Sequence, residues 1–419
     1  MRVLFIHQNI PGQFRHIILA LCADPANEVW AIAAEGAARR AQALHPRLKV
    51  AAYKVPPAPA GSAGGHPWLA NVDAQVRRGQ AVAQVLRRLR DGGMSFDAIV
   101  AHPSWGEALF VKDVLPATPL LAYLEFFYAA QGADVGFDPE FPSRPDDGER
   151  LRLRNLVHLA ALNACDAGFT PTHWQHSRLP PEYRSRVAVV HEGIDTDAIR
   201  PDPQASFEWN GRRFRAGEPI VTYVARNLEP YRGFHVFMRA LPALLARHPG
   251  LQVIVVGGDQ VSYGTAPRDP AGWKGALLDE LARAGTPLDV GRVHFTGKLG
   301  HADYLRVLQV SAAHVYLTYP FVLSWSMLEA MAAGCLVVGS DTAPVTEVLR
   351  DGVNGRVVDF FDRDALAAAI LDAVEARKDN RSTRMAARAT VVERFDLRRV
   401  CLPAALELLR TVQADRHVP

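Results

Sequence analysis

The sequence predicts an α/β protein made of two doubly wound domains in series. Short apolar runs alternate with helix-patterned segments along most of the chain, the pattern of parallel sheets built from strand–helix–strand units. The alternation starts afresh at "PIVTYVARN", after a polar stretch punctuated by prolines. At 419 residues the chain is also longer than one hydrophobic core fills, a limit of about 250–300 residues.

In the first half, "RVLFIH" reads as a strand, Pro11-Gly12 as a turn and "QFRHIILALCA" as an amphipathic helix. "VWAIAA", "AIVAH" and "LLAYLEFF" are further strands. Residues 56–67, "PPAPAGSAGGHP", are a loop by composition. The natural boundary is "HEGIDTDAIRPDPQ" (191–204). Beyond it "PIVTYVARN" is a strand, Arg232-Gly233 a turn and "FHVFMRALPALLARH" a helix. "LQVIVVGG", "VHFTG", "AAHVYLTY" and "CLVVGSD" supply more strands, and the chain turns mainly helical after Asp359. The expected divisions are 1–195, 196–395 and a terminal helical segment, 396–419, that packs back toward the first domain. Two such domains facing each other create a cleft at the carboxyl ends of their strands, where these sheets bind ligands.

Composition narrows the function. Hydrophobic residues make up 49% of the chain and charged residues 22%, as in an ordinary soluble protein. A net charge of +3 gives no argument for a nucleic-acid partner. Cys22, Cys165, Cys335 and Cys401 lack CxxC spacing and read as reduced structural thiols. "MRVLFIHQNI" is too short an apolar start for a secretory signal, and no run approaches the roughly 18 residues of a spanning helix. A cytoplasmic protein is expected. The arginine-rich helix 74–93 reads as a solvated face, with contact to anionic lipid at the inner membrane face as the alternative. Asp195-Thr-Asp197 sits in the linker, where carboxylates cap turns, and His173 and His176 lack further ligands, so no metal is expected.

The second half carries the stronger chemical signals. Arg226 ends a strand and Arg232 precedes a helix, so two guanidiniums beside a helix N-terminus make an anion site; two solvated arginines are the competing reading. Gly257-Gly258 ends a strand and lets backbone pass close to a ligand, and "FTGKLG" (295–300) is a turn able to meet a flat base. In "SWSMLEAMAAG", Ser324 or Ser326 can cap a helix that Gly334 ends. Glu329 then sits near its first turn among apolar neighbours, suited to accept two ribose hydroxyls or simply to favour the helix dipole.

These motifs, "VARNLEPYRG", "VVGGD", "FTGKL", "LEAMAAG" and "APVTEVLRDGVNG", with the linker "HEGIDTDAIRP", resemble the retaining glycosyltransferases of family 4 over essentially the whole chain. The resemblance implies the GT-B fold, two Rossmann-like domains facing across a cleft, the first on the acceptor side and the second binding a nucleotide sugar. Arg226 and Arg232 match the basic pair on the pyrophosphate; Lys298 and Leu299 match the turn that meets the base. Glu329 matches the acid on the ribose, and Ser324, Trp325, Ser326, Met327 and Leu328 match the loop whose N–H groups approach phosphate and sugar. One position departs: Phe321 stands where the family places a second acid that contacts the transferred sugar.

In the first half, Gly12 opens a helix where the family's glycine loop nears the donor phosphates, and His102 resembles the histidine that faces the reacting sugar. "EFFYAAQGADVGFDPEFP" mixes rings with acids, and Glu125, Tyr128, Asp134 and Asp138 are expected to bind the acceptor, a solvated acidic loop being the alternative. The expected partners are a nucleotide sugar and a hydroxyl acceptor, with no further cofactor. A sugar-nucleotide 2-epimerase and a non-catalytic sugar-nucleotide binder remain open, because Phe321 removes one acid from the sugar site.

Overall fold

The computed structural model describes residues 1–57, 65–267, 269–376 and 380–414. The chain forms two compact units, residues 1–193 with 398 onward, and residues 194–397. Most of the loop expected at 56–67 lies outside the described residues.

The first unit is built on seven strands: β1 (Arg2–Ile6), β2 (Glu28–Ala34), β3 (Leu48–Tyr53), β4 (Ala98–Ala101), β5 (Leu120–Tyr123), β6 (Ala167–Thr170) and β7 (Val187–Val189). They pair in the order β3-β2-β1-β4-β5-β6-β7, every pair parallel. Successive strand residues face opposite sides of a sheet. Thus Val3 and Phe5 join one apolar cluster while Leu4 and Ile6 join another, which is why a parallel strand is apolar at every position. The helix Leu402–Ala414 buries Ala405, Leu409 and Val412, one helical face, in the cluster that holds Val3 and Phe5. The chain steps outward from β1 to β2 and β3, then returns beside β1 to lay down β4. This reversal makes the ends of β1 and β4 a switch point.

In the second unit an antiparallel hairpin, β8 (Ser206–Trp209) and β9 (Arg212–Arg215), turns through Asn210 and Gly211, both at positive φ. Six strands follow: β10 (Ile220–Asn227), β11 (Gln252–Gly258), β12 (Val293–Gly297), β13 (Ala313–Tyr316), β14 (Leu336–Ser340) and β15 (Arg356–Val358). Their order is β12-β11-β10-β13-β14-β15, again all parallel, with the reversal between β10 and β13.

The arginine-rich helix spans Leu69–Asp91 and buries Gly79, Val82 and Leu86. Two of its arginines are held internally: Arg77 pairs with Asp73 and donates to the Pro56 carbonyl, and Arg78 donates to that of Trp105. Among the described residues no helix is long and apolar enough to cross a membrane. The four cysteines are buried thiols.

Candidate active site

In the second unit β10 runs into a single 3-10 turn, Pro230–Arg232, and then the helix Phe234–Arg247. Gly233 joins them at φ +67°, and a Cβ there would fall 2.3 Å from Leu317 Cβ, so only glycine fits. This close approach presses Arg232 under the end of β13, where it is only 8% exposed. Its Nη1 donates to the Tyr316 hydroxyl (3.1 Å), Thr318 Oγ1 (2.8 Å) and the Val322 carbonyl (3.0 Å). The Tyr263 ring lies over its Cζ at 5.5 Å. These partners are all neutral, and no carboxylate among the described residues forms an ion pair with it. A buried cation without a counter-charge costs several kcal/mol, and an arriving anion would supply that charge. Arg226 is exposed at the irregular end of β10.

Beside it the helix Trp325–Ala332 begins. Ser324 caps it, its hydroxyl accepting the Ser326 N–H at 3.4 Å, and Gly334 follows its end at φ +82°. The Ser324 N–H donates at 2.7 Å to the Tyr316 hydroxyl, the group that Arg232 also reaches, so Tyr316 ties the guanidinium to this helix start. Glu329 stands about 6 Å further along at 1.5 Å per residue. Burial raises its pKa, while the Tyr304 hydroxyl, which donates to Oε2, and His301 pull the other way. Its Oε1 makes no hydrogen bond among the described residues.

Around Arg232 stands a set of rings. Phe321, 4% exposed, meets Tyr263 at 5.1 Å and Tyr231 at 5.7 Å, both edge to face, and Tyr231 lies 4.8 Å from Tyr319. Glu229 anchors this group: its carboxylate accepts the backbone N–H groups of Ser262, Tyr263 and Gly264 at 3.0–3.1 Å, which holds Tyr263 in place.

The first unit gathers its polar groups at the ends of β1, β4 and β5. His7 Nδ1 accepts the Asn9 N–H (2.8 Å), and its Nε2 meets Gln13 Oε1 (3.0 Å). Gln13 Nε2 then donates to Glu125 Oε1 (3.0 Å). His102 Nε2 faces Glu125 Oε2 at 3.7 Å, and the residue is fully buried. Burial, followed by the proximity of His102, holds the His7 imidazole neutral down to about 3. Burial opposes the charge on Glu125, but His102, Gln13 and His7 outweigh it and keep the carboxyl below its ordinary range. Trp105 packs on both imidazoles, at 4.4 Å from His102 and 5.0 Å from His7.

The model described as "Glycosyl transferase family 4 group" matches residues 25–199, and "Glycosyl transferases group 1" matches 218–376. The chain belongs to glycosyltransferase family 4. Among its relatives, a D-inositol 3-phosphate glycosyltransferase of Mycobacterium ulcerans is 32% identical over 187 residues, 44% of this chain and 37% of the relative. A GDP-mannose-dependent alpha-(1-6)-phosphatidylinositol monomannoside mannosyltransferase of Mycolicibacterium smegmatis is 27% identical over 228 residues, 50% and 53% of the two chains. The alignments thus span between 37% and 53% of these two relatives. Sucrose-phosphate synthase of Thermosynechococcus elongatus superposes with a TM-score of 0.70 at 17% identity, covering 99% of this chain and 100% of that one. Anabaena HepE in complex with UDP and glucose gives 0.67 at 19% identity, over 97% and 99%. The fold is GT-B.

The other expected residues of this family 4 chain each have protein neighbours of their own. Gly257 and Gly258 are crowded by protein: a Cβ on the first would meet Leu228 at 2.6 Å, on the second Lys298 at 2.6 Å and Asn227 Oδ1 at 2.7 Å. Gly12 likewise makes room for His7, whose Nε2 would lie 2.7 Å from a Cβ there. Lys298 is exposed, and Leu299 packs on the cluster that holds Ile254 and Val256. Of 324–328, Met327 and Leu328 are wholly buried, the Ser324 N–H goes to the Tyr316 hydroxyl and the Ser326 N–H serves the cap, leaving Trp325, 43% exposed, as the outward side chain. Asp134 and Asp138, expected to present carboxylates to an acceptor, are 4% and 3% exposed. Asp138 accepts the Glu140 N–H and so shapes its own turn. Tyr128 is covered by the Arg154 guanidinium at 3.8 Å, with its hydroxyl bonded to it. Asp195 accepts the Ala198 N–H in the linker, and His176 Nε2 meets the Arg184 carbonyl. No group of three or more His, Cys, Asp or Glu among the described residues is arranged to hold a metal. Glu229, Tyr263, Tyr316, His7 and Gln13 were missed; all act through partners remote in sequence or through groups too common to stand out.

Proposed function

We propose that this chain transfers a sugar from a nucleoside-diphosphate sugar to a hydroxyl acceptor with retention at the anomeric carbon, without a metal. The observation that carries the reading is Arg232, a buried guanidinium with only neutral partners, wired through Tyr316 to the start of the helix that bears Glu329. Separating the anomeric carbon from diphosphate builds negative charge on the leaving group. Arg232, with Arg226 at the exposed strand end, supplies fixed positive charge for it, and preorganised charge of this kind dominates many catalytic effects. Glu329 holds the ribose hydroxyls through its open Oε1, with Tyr304 fixing the other oxygen. The departing phosphate takes the acceptor's proton on the face it leaves, so the reading needs no base from the chain. Relatives named for inositol 3-phosphate and phosphatidylinositol monomannoside support an acceptor rich in hydroxyls.

The test is thermal stabilisation by a panel of UDP-, GDP-, ADP- and dTDP-sugars, followed by proton NMR of the product's anomeric signal. A ligand at a hundred times its Kd adds about 2.7 kcal/mol, a visible shift. A panel in which no nucleotide sugar stabilises the protein would refute the reading. Isomerised nucleotide sugar formed without acceptor would point instead to the 2-epimerase.

A further inference from the structure

The rings around Arg232 have no part in the transfer reading. Tyr231 and Tyr263 are partly exposed, while Tyr319 and Phe321 are buried. Phe321 meets both exposed rings edge to face, and Tyr319 lies beside Tyr231. Backbone bonds lock the group: the Tyr319 N–H donates to the Tyr231 carbonyl at 3.0 Å, and the Phe321 N–H to that of Tyr319 at 2.6 Å. The loop after β11 grips it as well. Glu229, 1% exposed, accepts the amides of Ser262, Tyr263 and Gly264, and a Cβ on Gly264 would come 3.3 Å from the Tyr231 ring. The carboxylate in this group is therefore filled by backbone. The Tyr263 hydroxyl is likewise engaged, hydrogen-bonded to the Arg232 guanidinium.

With a phosphate oxygen on Arg232, the sugar hangs from the same diphosphate through a single oxygen. Side chains packed on the guanidinium are therefore the sugar's neighbours too. Tyr263 covers Cζ at 5.5 Å, and Phe321 directly precedes Val322, whose carbonyl takes Nη1. We propose that the donor carries a deoxysugar, which turns a C–H or methyl edge to the rings of Tyr231 and Tyr263, and that Phe321 and Glu229 are positioning residues that hold this wall. A ring face attracts C–H groups by dispersion and gives a hydroxyl nothing in exchange for the water it sheds. A hydroxyl pressed there without a partner weakens binding about tenfold. A carboxylate at 321 would reverse the choice, since it accepts hydroxyls where Phe321 accepts none. The proposal rests on the transfer reading for the place of the sugar, and it names the class of sugar that the reading leaves open.

The experiment is calorimetric titration of the full chain. The probes are UDP-, GDP-, ADP- and dTDP-linked glucose and mannose, each beside its 3-, 4- and 6-deoxy form, and the four bare nucleoside diphosphates. At least one deoxy form should bind about tenfold more tightly than its hydroxylated parent. That ratio should fall toward unity in Tyr263→Ser, which opens the wall to water, and in Phe321→Leu, which frees the two rings it packs against. A merely structural role for Phe321 would weaken parent and deoxy form alike and leave the ratio unchanged. If Phe321→Leu does not fold, the wild-type ratio and Tyr263→Ser, a loop substitution, decide the matter. Parents that bind as tightly as every deoxy form, or a ratio that survives in the variants, would overturn the proposal and leave the transfer reading standing. Failure of every nucleotide sugar and every bare diphosphate to bind would overturn both.

Discussion

Replacing Arg232 with methionine separates a ligand-binding role from a structural one. The substitution orphans Thr318 Oγ1 and the Val322 carbonyl, while the Tyr316 hydroxyl keeps the Ser324 N–H. Each orphaned acceptor costs about 1–3 kcal/mol. Against that, the protein no longer buries a cation among neutral partners, a penalty of several kcal/mol. The terms oppose one another, so stability should change by less than about 2 kcal/mol. Diphosphate binding loses a charge-assisted contact of about 1.5–3 kcal/mol, which weakens UDP affinity about 10- to 150-fold. Urea denaturation measures the first quantity and calorimetric titration with UDP the second. A variant that unfolds far more easily yet binds UDP undiminished would show that the guanidinium is only a strut between β13 and the following loop.

Further outcomes follow from other residues. Glu329→Gln should weaken binding of UDP but not of inorganic diphosphate; and because burial raises the Glu329 carboxyl above 4.5, wild-type UDP affinity should fall on acidification before an ordinary glutamate titrates, with a flatter profile in the variant. Gly233→Ala should cost about 2–5 kcal/mol, the sum of left-handed strain and overpacking on Leu317, and Leu317→Ala should recover part of the lost melting temperature. Burial keeps His7, His158 and His314 neutral down to about 3, so between their ordinary 6.5 and that value the unfolded chain binds more protons and stability falls as pH falls. Each contributes a loss of about 2 kcal/mol by roughly pH 5, with the raised carboxyls of Glu107 and Glu329 acting in the opposite sense. In urea denaturation against pH, His314→Gln should lower the slope by about one proton, and an unchanged slope would contradict the reading.

The two parallel sheets were legible because a strand covered on both faces is apolar throughout, as in "RVLFI" and "QVIVV". The short β8–β9 hairpin escaped notice although Asn210-Gly211 is a strong two-residue turn signal; its strands carry charge and aromatics rather than a long apolar run. At the site, Glu329 stood out as a charge set in an apolar stretch and Arg232 as a cation beside a helix start. Glu229 did not, because its meaning comes from three amides more than thirty residues away. The Gln13–Glu125 contact spans 112 residues and joins two common side chains, so nothing local marks it. The side chains crowding Gly257 and Gly258 were not legible, because a glycine that makes room for a neighbour reads the same as one that makes room for a ligand.

The helix Leu402–Ala414 is made after residues 194–397, yet its Ala405, Leu409 and Val412 complete the apolar layer that Val3 and Phe5 begin. Residues 194–397, by contrast, are contiguous. During synthesis the later-made body therefore has all its parts before the earlier-made one, and the first sheet waits for residues 402–414 to close its oily side. A chain cut short before residue 402 would carry that side bare, so premature termination should yield an insoluble product even though every strand has been made.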